Sequence, residues 1–399
     1  MLGFNGGLIG ARRTPSAAGA TGLWLPSEQS LAQREDAWPR LFPSPSSVVY
    51  SQSSVYSGTT PISNVLMTDG IATNTGAATN SGAGQFFMLD LGAPFAVGST
   101  IIGTGTPSIP GGWNRTYTEN RFISYSIDGT NWFNAFYTDT FPADGIYTLP
   151  TVFIGRFVRV VDPAGSWITL TEFGCNPATA AEAAVLTEDP YFGSVTLLLH
   201  LDGADGGLTF TDSSVYGRSV SRTGNTRIST DRGVFSDSSA FFDGSGGLLT
   251  MPSAPQLVIP TGMDFTVEAQ VYSRSTAGQI IGGSATQNVQ VFRLNEGGPG
   301  NLSFYLNGLY VFNPTAAGIV ANAWMHLAIS RVANTTRMFV NGVQIGAANT
   351  SWIGSFDLSL WGSMFGLNFN GYLDEVRVTR GIGRYTGNFT PPAARFPGL

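Results

Sequence analysis

Side chains that commonly act in catalysis are few in this chain. His200 and His326 are the two histidines, and each lies in an apolar segment that predicts a β-strand. A nucleophilic triad needs such a base oriented by a carboxylate, and no Gly-x-Ser-x-Gly turn precedes a predicted helix. We therefore interpret both histidines as half-buried strand residues. Two histidines are too few for a His-rich zinc site, and the single Cys175 excludes an intrachain disulfide and a cysteine-ligated metal.

Carboxylates are the second kind of catalytic candidate. Glycoside hydrolysis needs two carboxyl groups that face each other about 5–10 Å apart. Four acidic residues lie on or near predicted strands, namely Glu172, Glu268, Asp374 and Glu375. The segment Val267–Gln270 offers Glu268 no acidic partner. A polysaccharide hydrolase is therefore kept only as the least favoured alternative.

Aspartates in glycine-rich segments predict a calcium site. Asp202, Asp205 and Asp212 lie in predicted loops, and Asp374 lies near the last predicted strand. Hard oxygen ligands from such loops suit Ca²⁺. The alternative is that these aspartates only form turns, since their side chains readily bond to nearby backbone N–H groups.

One segment combines aromatic and polar residues in the way that a sugar-binding loop does. Trp113, Asn114, Arg115 and Tyr117 follow one another closely, and Trp167 comes after a Pro-Ala-Gly turn farther along the chain. Aromatic rings present a flat apolar face, while amide and guanidinium groups can bond to hydroxyls. We predict that these five residues bind a glycan. The alternative is that the tryptophans close the end of a β-sandwich.

The composition favours strands joined by tight turns. Of 399 residues, 42% are hydrophobic, 12% are charged and 51 are glycine. Apolar runs such as Val195–Leu199 are far shorter than the ~20 residues that cross a membrane, so we expect no membrane insertion. All 20 basic residues are arginine, the net charge is −6 and no basic stripe is visible, which argues against nucleic-acid binding.

Residues 1–44 predict an extended N-terminal arm. Glycines and prolines punctuate this segment, and it is too short to bury Trp24 and Trp38 by itself. Because arms ordered by a partner are a common assembly device, we predict that Phe4, Trp24 and Trp38 anchor the chain to one. The alternative is that they pack onto the following domain. The first residues lack the order of a signal peptide, so we expect assembly in the cytoplasm.

Residues 45–177 predict an antiparallel β-sandwich. Short strand-like segments follow one another at the density typical of that architecture, from Phe86–Gly92 to Trp167–Cys175. The order of five motifs resembles the discoidin-type, galactose-binding-like jelly roll: Asp69-Gly70, Leu89–Gly92, Ser126–Trp132, Arg156–Arg159 and Ile168–Phe173. This resemblance implies that ligand loops project from one end of the sandwich, where the segment around Trp113 would lie.

Residues 178–192 predict a linker, and residues 193–399 predict a second sandwich with a C-terminal tail. The alanine-rich centre of the linker favours a short helix that ends at Asp189-Pro190. In the stretch Asn370–Pro392, apolar and charged residues nearly alternate before a Gly- and Pro-rich tail, and Asn341-Gly342 predicts a type I′ hairpin. With the strands upstream, these elements resemble the concanavalin A-like, laminin-G-like family. That resemblance implies sugar or protein recognition, with calcium at one rim.

Two flanking segments of the second sandwich are similar to bacteriophage virion proteins of the fibre or decoration type. They are Leu198–Gly206 and Arg384–Pro392, and Gly22–Gln29 in the arm has a similar character. The resemblance implies a virion location, other virion proteins as partners of the arm, and a host cell-surface glycan as ligand. It also implies a symmetric homo-oligomer, for which a trimer is predicted by analogy with fibres.

The sequence therefore predicts an all-β chain with two antiparallel sandwiches, both jelly rolls, in tandem behind the arm. The favoured function is a non-enzymatic phage structural protein that exposes both sandwiches for glycan binding or particle stabilisation. A free carbohydrate-binding adhesin module is the first alternative. The hydrolase discussed above is the second.

Overall fold

The computed structural model describes residues 48–56, 77–104, 115–138, 141–163, 165–285, 287–351 and 354–399. The chain divides into two compact units, Met1–Gly193 and Ser194–Leu399. Antiparallel strands dominate both units, which confirms the all-β prediction. The predicted arm with its anchoring residues, the Asp69-Gly70 motif, and Trp113 and Asn114 lie outside the described residues. No helix within the described ranges is long and apolar enough to cross a membrane.

The first unit is built around one bent sheet. Its described strands are β1 Val49–Gln52, β2 Ala77–Ala78, β3 Phe86–Thr104, β4 Arg121–Ser126, β5 Phe133–Thr138, β6 Gly145–Val161, β7 Thr169–Leu170 and β8 Glu172–Pro177. The main sheet has the order β1-β3-β6-β4-β5, with β8 also on β3, and β2 pairs with β7. Bulges in the long β3–β6 ladder bend the sheet. Alternate residues of β3, such as Phe87, Leu89 and Leu91, enter the core.

A short helix, α1 Ala180–Glu188, follows the last strand of this unit. Thr179 and Glu182 form a capping box, because the Thr179 hydroxyl accepts from the Glu182 N–H and the Glu182 carboxylate accepts from the Thr179 N–H. The helix ends at Asp189, directly before Pro190, as the sequence predicts. Single 3₁₀ turns occur at Arg115–Tyr117, Phe192–Ser194 and Pro255–Leu257.

The second unit contains two large sheets whose facing sides form one core. Its strands are β9 Val195–Leu199, β10 Ser221–Thr223, β11 Arg227–Ser229, β12 Ser239–Asp243, β13 Leu248–Thr250, β14 Val258–Ile259, β15 Phe265–Ser273, β16 Gln279–Ile280, β17 Gly282–Ser284, β18 Val289–Leu294, β19 Asn301–Leu306, β20 Leu309–Ala316, β21 Trp324–Val332, β22 Thr335–Val340, β23 Val343–Asn349, β24 Phe356–Asp357, β25 Leu360–Gly362 and β26 Asn370–Arg380. The first sheet has the order β10-β13-β25-β17-β18-β19-β20, with β16 on β18. The second has the order β11-β12-β26-β15-β21-β22-β23, with β9 on β26, while β14 pairs with β24. Core side chains from both sheets include Val267, Phe292, Phe304, Leu327 and Trp361.

A bulge in β26 explains why the sequence alternation there is imperfect. Leu373 and Val376 both enter the core although three positions separate them. The register shifts by one residue at this point, and Glu375 has a φ of 48°, in the left-handed region. Asp374 and Glu375 can therefore both lie on the side of the sheet that faces away from the core. We call that side the outer face.

The C-terminal tail, residues 381–399, packs on this outer face. Tyr385 and Phe389 stack with their ring centroids 3.6 Å apart, and the Phe389 N–H donates to the Gly342 carbonyl at 2.9 Å. Gly342 has a φ of 75° and Asn341 a φ of 50°, so the predicted Asn-Gly hairpin is confirmed. Every residue of β15 is buried, because the core covers one side of the strand and the tail covers the other side around Thr266 and Glu268.

The contact between the tail and this hairpin can be tested with two glycine substitutions. Gly342→Ala should destabilise the protein by at least ~2 kcal/mol more than Gly308→Ala. Both glycines follow an asparagine in a positive-φ turn, but a Cβ at Gly342 would overlap the Phe389 carbonyl, whereas nothing lies within 4 Å of one at Gly308. Urea unfolding of the two variants measures the difference. Equal losses would mean that the tail is not seated against the hairpin.

Candidate functional site

Two of the predicted sugar-binding residues, Tyr117 and Trp167, meet in the first unit. Their ring centroids lie 6.2 Å apart with an interplanar angle of 72°, an edge-to-face contact. Trp167 is 37% exposed, whereas the next residue, Ile168, is fully buried. Tyr117 is half-buried and ends the 3₁₀ turn that begins at Arg115. The pair presents an accessible indole that a neighbouring phenol ring supports from the side.

A buried arginine fixes the backbone beneath the indole. Nη2 of Arg121 donates to the Trp167 carbonyl at 2.8 Å, and Nη1 donates to the Glu119 carbonyl at 2.7 Å. Nη1 also lies 3.5 Å from Oδ1 of Asp162, and both side chains are at most 4% exposed. Burial lowers the pKa of Arg121, and the Asp162 carboxylate acts in the opposite direction. Removing either partner would leave a buried charge uncompensated, so the pair strongly constrains this region.

Two further hydrogen bonds hold the segments that carry the aromatic pair. The Thr118 hydroxyl donates to the Thr169 carbonyl at 2.7 Å, and the Thr79 hydroxyl accepts from the Ile168 N–H at 3.1 Å. The residues on either side of Tyr117 and Trp167 are therefore held before any ligand arrives. A preorganised surface loses less conformational entropy on binding than a mobile one.

The sequence indicated only part of this arrangement. Trp113 and Asn114 lie outside the described residues, so their predicted role stays a prediction, as does that of Arg115. Arg121 and Asp162 were not among the site residues predicted from the sequence. The available signal was a charged residue at the first position of an otherwise apolar and hydroxyl-bearing strand. Its partners are far away in sequence, and local pattern could not identify them.

The carboxylates considered for acid–base catalysis are all buried. Glu172, Glu268, Asp374 and Glu375 are each at most 4% exposed. An acid–base pair drawn from these four residues would not reach a polysaccharide. Both histidines are buried, not half-buried as predicted. Each also bonds to a carboxylate: His200 Nδ1 lies 2.8 Å from Glu375 Oε1, and His326 bonds to Glu268.

Glu268 is the centre of a polar cluster beneath the tail. Its Oε1 accepts from Nε and Nη2 of Arg377 at 3.0 and 2.8 Å. Its Oε2 accepts from the Tyr385 hydroxyl at 2.7 Å and lies 3.1 Å from His326 Nε2. Burial by itself would raise the pKa of Glu268, but the charges of Arg377 and His326 outweigh it and hold that pKa well below its usual range. This carboxylate is a structural anion that ties the tail to two central strands.

Two of the four predicted calcium ligands accept hydrogen bonds from backbone N–H groups. Asp212 accepts from the backbone N–H groups of Leu198 and Ser214 with one oxygen and from Arg218 with the other. Asp205 accepts from the Thr230 N–H. The bond of Asp212 to Ser214 is the short-range kind that forms a turn, whereas Asp205 bonds to a residue far along the chain; neither bond tests calcium binding.

The other two predicted calcium ligands, Asp202 and Asp374, lie close enough to affect one another electrostatically. Asp202 also pairs with Arg395 at 3.2 Å. In the described ranges no group of three or more His, Cys, Asp or Glu side chains could hold a metal ion. The arrangement does not favour one ion shared by the four aspartates, and calcium binding stays a prediction.

Asp374 has an unusual protonation equilibrium. Burial, together with the nearby carboxylates of Glu375 and Asp202, raises the pKa of Asp374 to about 8. Its Oδ2 accepts from the Val234 N–H at 2.9 Å. The folded protein therefore keeps a proton on Asp374 at pH values where the unfolded chain has released it. The contribution of this one group to stability is therefore greatest below the ordinary pKa of an aspartate, ~4, and is lost as pH rises toward about 8.

Asp374→Asn should remove this loss of stability with rising pH. The amide keeps an acceptor for Val234 and needs no proton, so the melting temperature of the variant relative to the native protein should rise, on the order of 5 °C, between about pH 5 and about pH 9. Scanning calorimetry in EDTA measures the difference. Asp205→Asn, at an exposed position, controls for the change from a carboxylate to an amide. A difference that is flat or falls with pH would show that Asp374 is ionised in the folded state.

Comparisons with solved structures found folds of low identity. A Clostridium perfringens module, CpGH89CBM32-5, solved with GalNAc-β-1,3-galactose, is 15% identical and has a TM-score of 0.27 over 33% of this chain and 96% of its own. A Streptococcus pneumoniae fucose-binding module is 16% identical, with a TM-score of 0.27 over 33% and 94%. Domain 4 of the Geobacillus stearothermophilus arabinanase AbnA, solved with arabinotriose, is 18% identical, with a TM-score of 0.35 over 47% and 92%. Scores this low carry no argument about the ligand of this chain.

A search of curated proteins found no match. Residues 243–381 match the model of the concanavalin A-like lectin/glucanases superfamily. The matched range begins at the end of β12 and runs through β26, so it contains most strands of both large sheets. The second unit therefore contains a concanavalin A-like, laminin-G-like domain, as the sequence resemblance implied.

Proposed function

We propose that this chain is a non-catalytic protein that binds glycans through the aromatic pair of its first unit. The observation that carries the proposal is Trp167, an exposed indole whose backbone is fixed by a buried arginine. Ligand sites commonly combine aromatic side chains with a few polar groups that fix the orientation of the ligand. A sugar ring offers an apolar face to the indole and hydroxyls to the groups around it.

The buried state of the acidic residues supports a role in binding rather than hydrolysis. Glu268 is saturated by bonds to Arg377, His326 and Tyr385, and the other three candidates are equally inaccessible. A general acid must reach the leaving-group oxygen within hydrogen-bond distance. The concanavalin A-like domain is compatible with either role, because a fold alone does not determine function.

A glycan array followed by titration tests this function. Full-length protein should bind a subset of neutral glycans, and Trp167→Ala should weaken that binding at least ~tenfold, as truncation of a binding hot spot does. Trp167→Phe, which keeps an aromatic face, should retain part of the affinity. The melting temperatures of both variants should match that of the native protein, because the indole contributes little to the core.

Ile127→Ala is the matched control, since Ile127 is an exposed apolar residue of the same unit. It should leave glycan affinity unchanged. Unchanged binding by Trp167→Ala would remove the aromatic pair from the site. The absence of binding to every glycan on the array would contradict the proposed function.

We further propose that the chain is part of a phage particle, with residues 1–44 as its anchor and several copies acting together. The support for this is the sequence similarity of the segments around the second sandwich to virion proteins. Weak glycan contacts gain ~10²–10⁴ in avidity when linked copies bind at once. The mass in solution of the full chain and of a chain that lacks residues 1–44 tests the idea. A monomer unaffected by the deletion would contradict assembly through the arm.

A further inference from the structure

A row of aromatic side chains crosses the outer face of the second unit. Phe241, Tyr372, Tyr272 and Trp324 are direct cross-strand neighbours on β12, β26, β15 and β21. The ring centroids of successive pairs lie 5.1, 5.8 and 5.6 Å apart. The first three rings are at most 8% exposed, and Trp324 is half-buried. We call these four residues the aromatic row.

Three arginines lie on the aromatic row. The guanidinium carbons of Arg227 and Arg274 lie 4.6 and 5.7 Å from the centre of the Phe241 ring. That of Arg232 lies 4.5 Å from the centre of Tyr272 and 6.0 Å from that of Tyr372. Arg232 and Arg274 are exposed and Arg227 is half-buried. Three positive charges therefore converge on one small surface of an acidic chain.

No carboxylate within the described part of the chain bonds to these guanidinium groups, although Asp231 lies beside them. None of the three forms an ion pair there or donates a hydrogen bond from its side chain, in contrast to Arg377, which pairs with Glu268. A guanidinium stacked on a ring uses its flat face, and its N–H groups still point outward from its edge. Like charges held together also repel one another, and a bound anion would remove that repulsion.

The backbone that carries the two exposed arginines is fixed. The Val234 N–H donates to Asp374 two residues after Arg232, and the Ser239 hydroxyl donates to the Arg232 carbonyl at 2.5 Å. The Arg274 N–H donates to the Asn370 carbonyl at 2.8 Å. The cluster is thus held by the same strand, β26, whose bulge places Asp374 on the outer face.

From this geometry we propose that the arginine cluster is a second saccharide site, one that binds the carboxylate of an acidic glycan. The guanidinium edges match a carboxylate in shape and charge, since the fork of an arginine can bond to both carboxylate oxygens. The buried Tyr372 donates to Oδ2 of Asp231 at 3.4 Å beside the arginines, and the exposed Asp231 carboxylate can accept from sugar hydroxyls. Trp324, the half-buried end of the row, is the ring that the adjoining sugar would contact.

A uronate- or sialate-bearing polymer fits this surface better than a nucleic acid. Phosphate backbones are bound by long basic tracts, and this chain has a net charge of −6 with only three arginines here. Asp231 beside the cluster would repel duplex DNA, which carries one negative charge per ~1.7 Å, more than it would repel a polysaccharide with one carboxylate per sugar. The carboxylate of such a sugar matches the arginines, and its hydroxyls can donate to the acidic residue.

Binding to defined polymers tests the second site. Full-length protein should bind at least one of polygalacturonate, alginate and polysialic acid by biolayer interferometry, and methyl-esterified polygalacturonate controls for the carboxylate. Replacing Arg232 and Arg274 together by Gln should weaken binding by about tenfold for each guanidinium lost, because bonds to charged groups are the stronger kind. The matched control is Arg222→Gln, which removes one half-buried arginine from the other sheet.

The double replacement by Lys guards against a folding defect. Lysine keeps the charge and covers the rings but lacks the planar fork, so binding should be intermediate while the melting temperature stays near the native value. The proposal is overturned if none of the three acidic polymers binds, or if the double Gln variant binds as tightly as the native protein. It is also overturned if Arg222→Gln causes an equal loss, or if duplex DNA binds more tightly than every acidic glycan.

Discussion

The second unit depends on the ion pair between Glu268 and Arg377. These side chains lie on the neighbouring central strands β15 and β26, on the face opposite the core, where a lone charge would be costly to bury. Tyr385 and His326 bond to the second oxygen of the carboxylate. Since Tyr385 belongs to the tail, the tail helps to stabilise that buried charge. Because the tail carries its own aromatic rings, the sheet can be covered on both sides without a further layer of secondary structure.

The cost of burying an unpaired charge also determines which surfaces stay available to a ligand. In the first unit the buried pair of Arg121 and Asp162 positions Trp167 with its ring outward. In the second unit the arginines over the aromatic row have no such partner within the described residues, which distinguishes them from the structural charges around Glu268. Paired charges therefore stabilise the two units. The exposed indole and the guanidinium groups without an ion pair are the places where a ligand can form new contacts.

Local patterns in the sequence predicted the elements well. Asn341-Gly342 specified its hairpin because few residues tolerate two successive positive φ angles. The strand around Leu89 shows period-two burial, and the strand around Val267 alternates apolar and polar residues although both of its sides are buried. The bulge at Glu375 was visible only as a three-residue gap between apolar positions, whose meaning requires knowledge of the partner strand.

The candidate sites were less predictable, because they are assembled from distant segments. Tyr117 and Trp167 were identified by residue type, but the arginine that holds Trp167 was not, since its contacts depend on the three-dimensional pairing of segments. The aromatic row is set by the register of four strands, and its arginines come from two segments, one with Arg227 and Arg232 and the other with Arg274. Composition gave no hint of them, because a total of 20 arginines without any lysine shows no cluster.

One combined measurement decides whether the chain binds glycans and leaves them intact. Full-length protein is titrated calorimetrically with a neutral glycan selected from the array, and the mass of the recovered glycan is then determined after prolonged incubation. We expect saturable heat with one glycan bound per chain and a recovered glycan mass identical to the starting mass. The absence of saturable heat, or a shortened glycan, would contradict it.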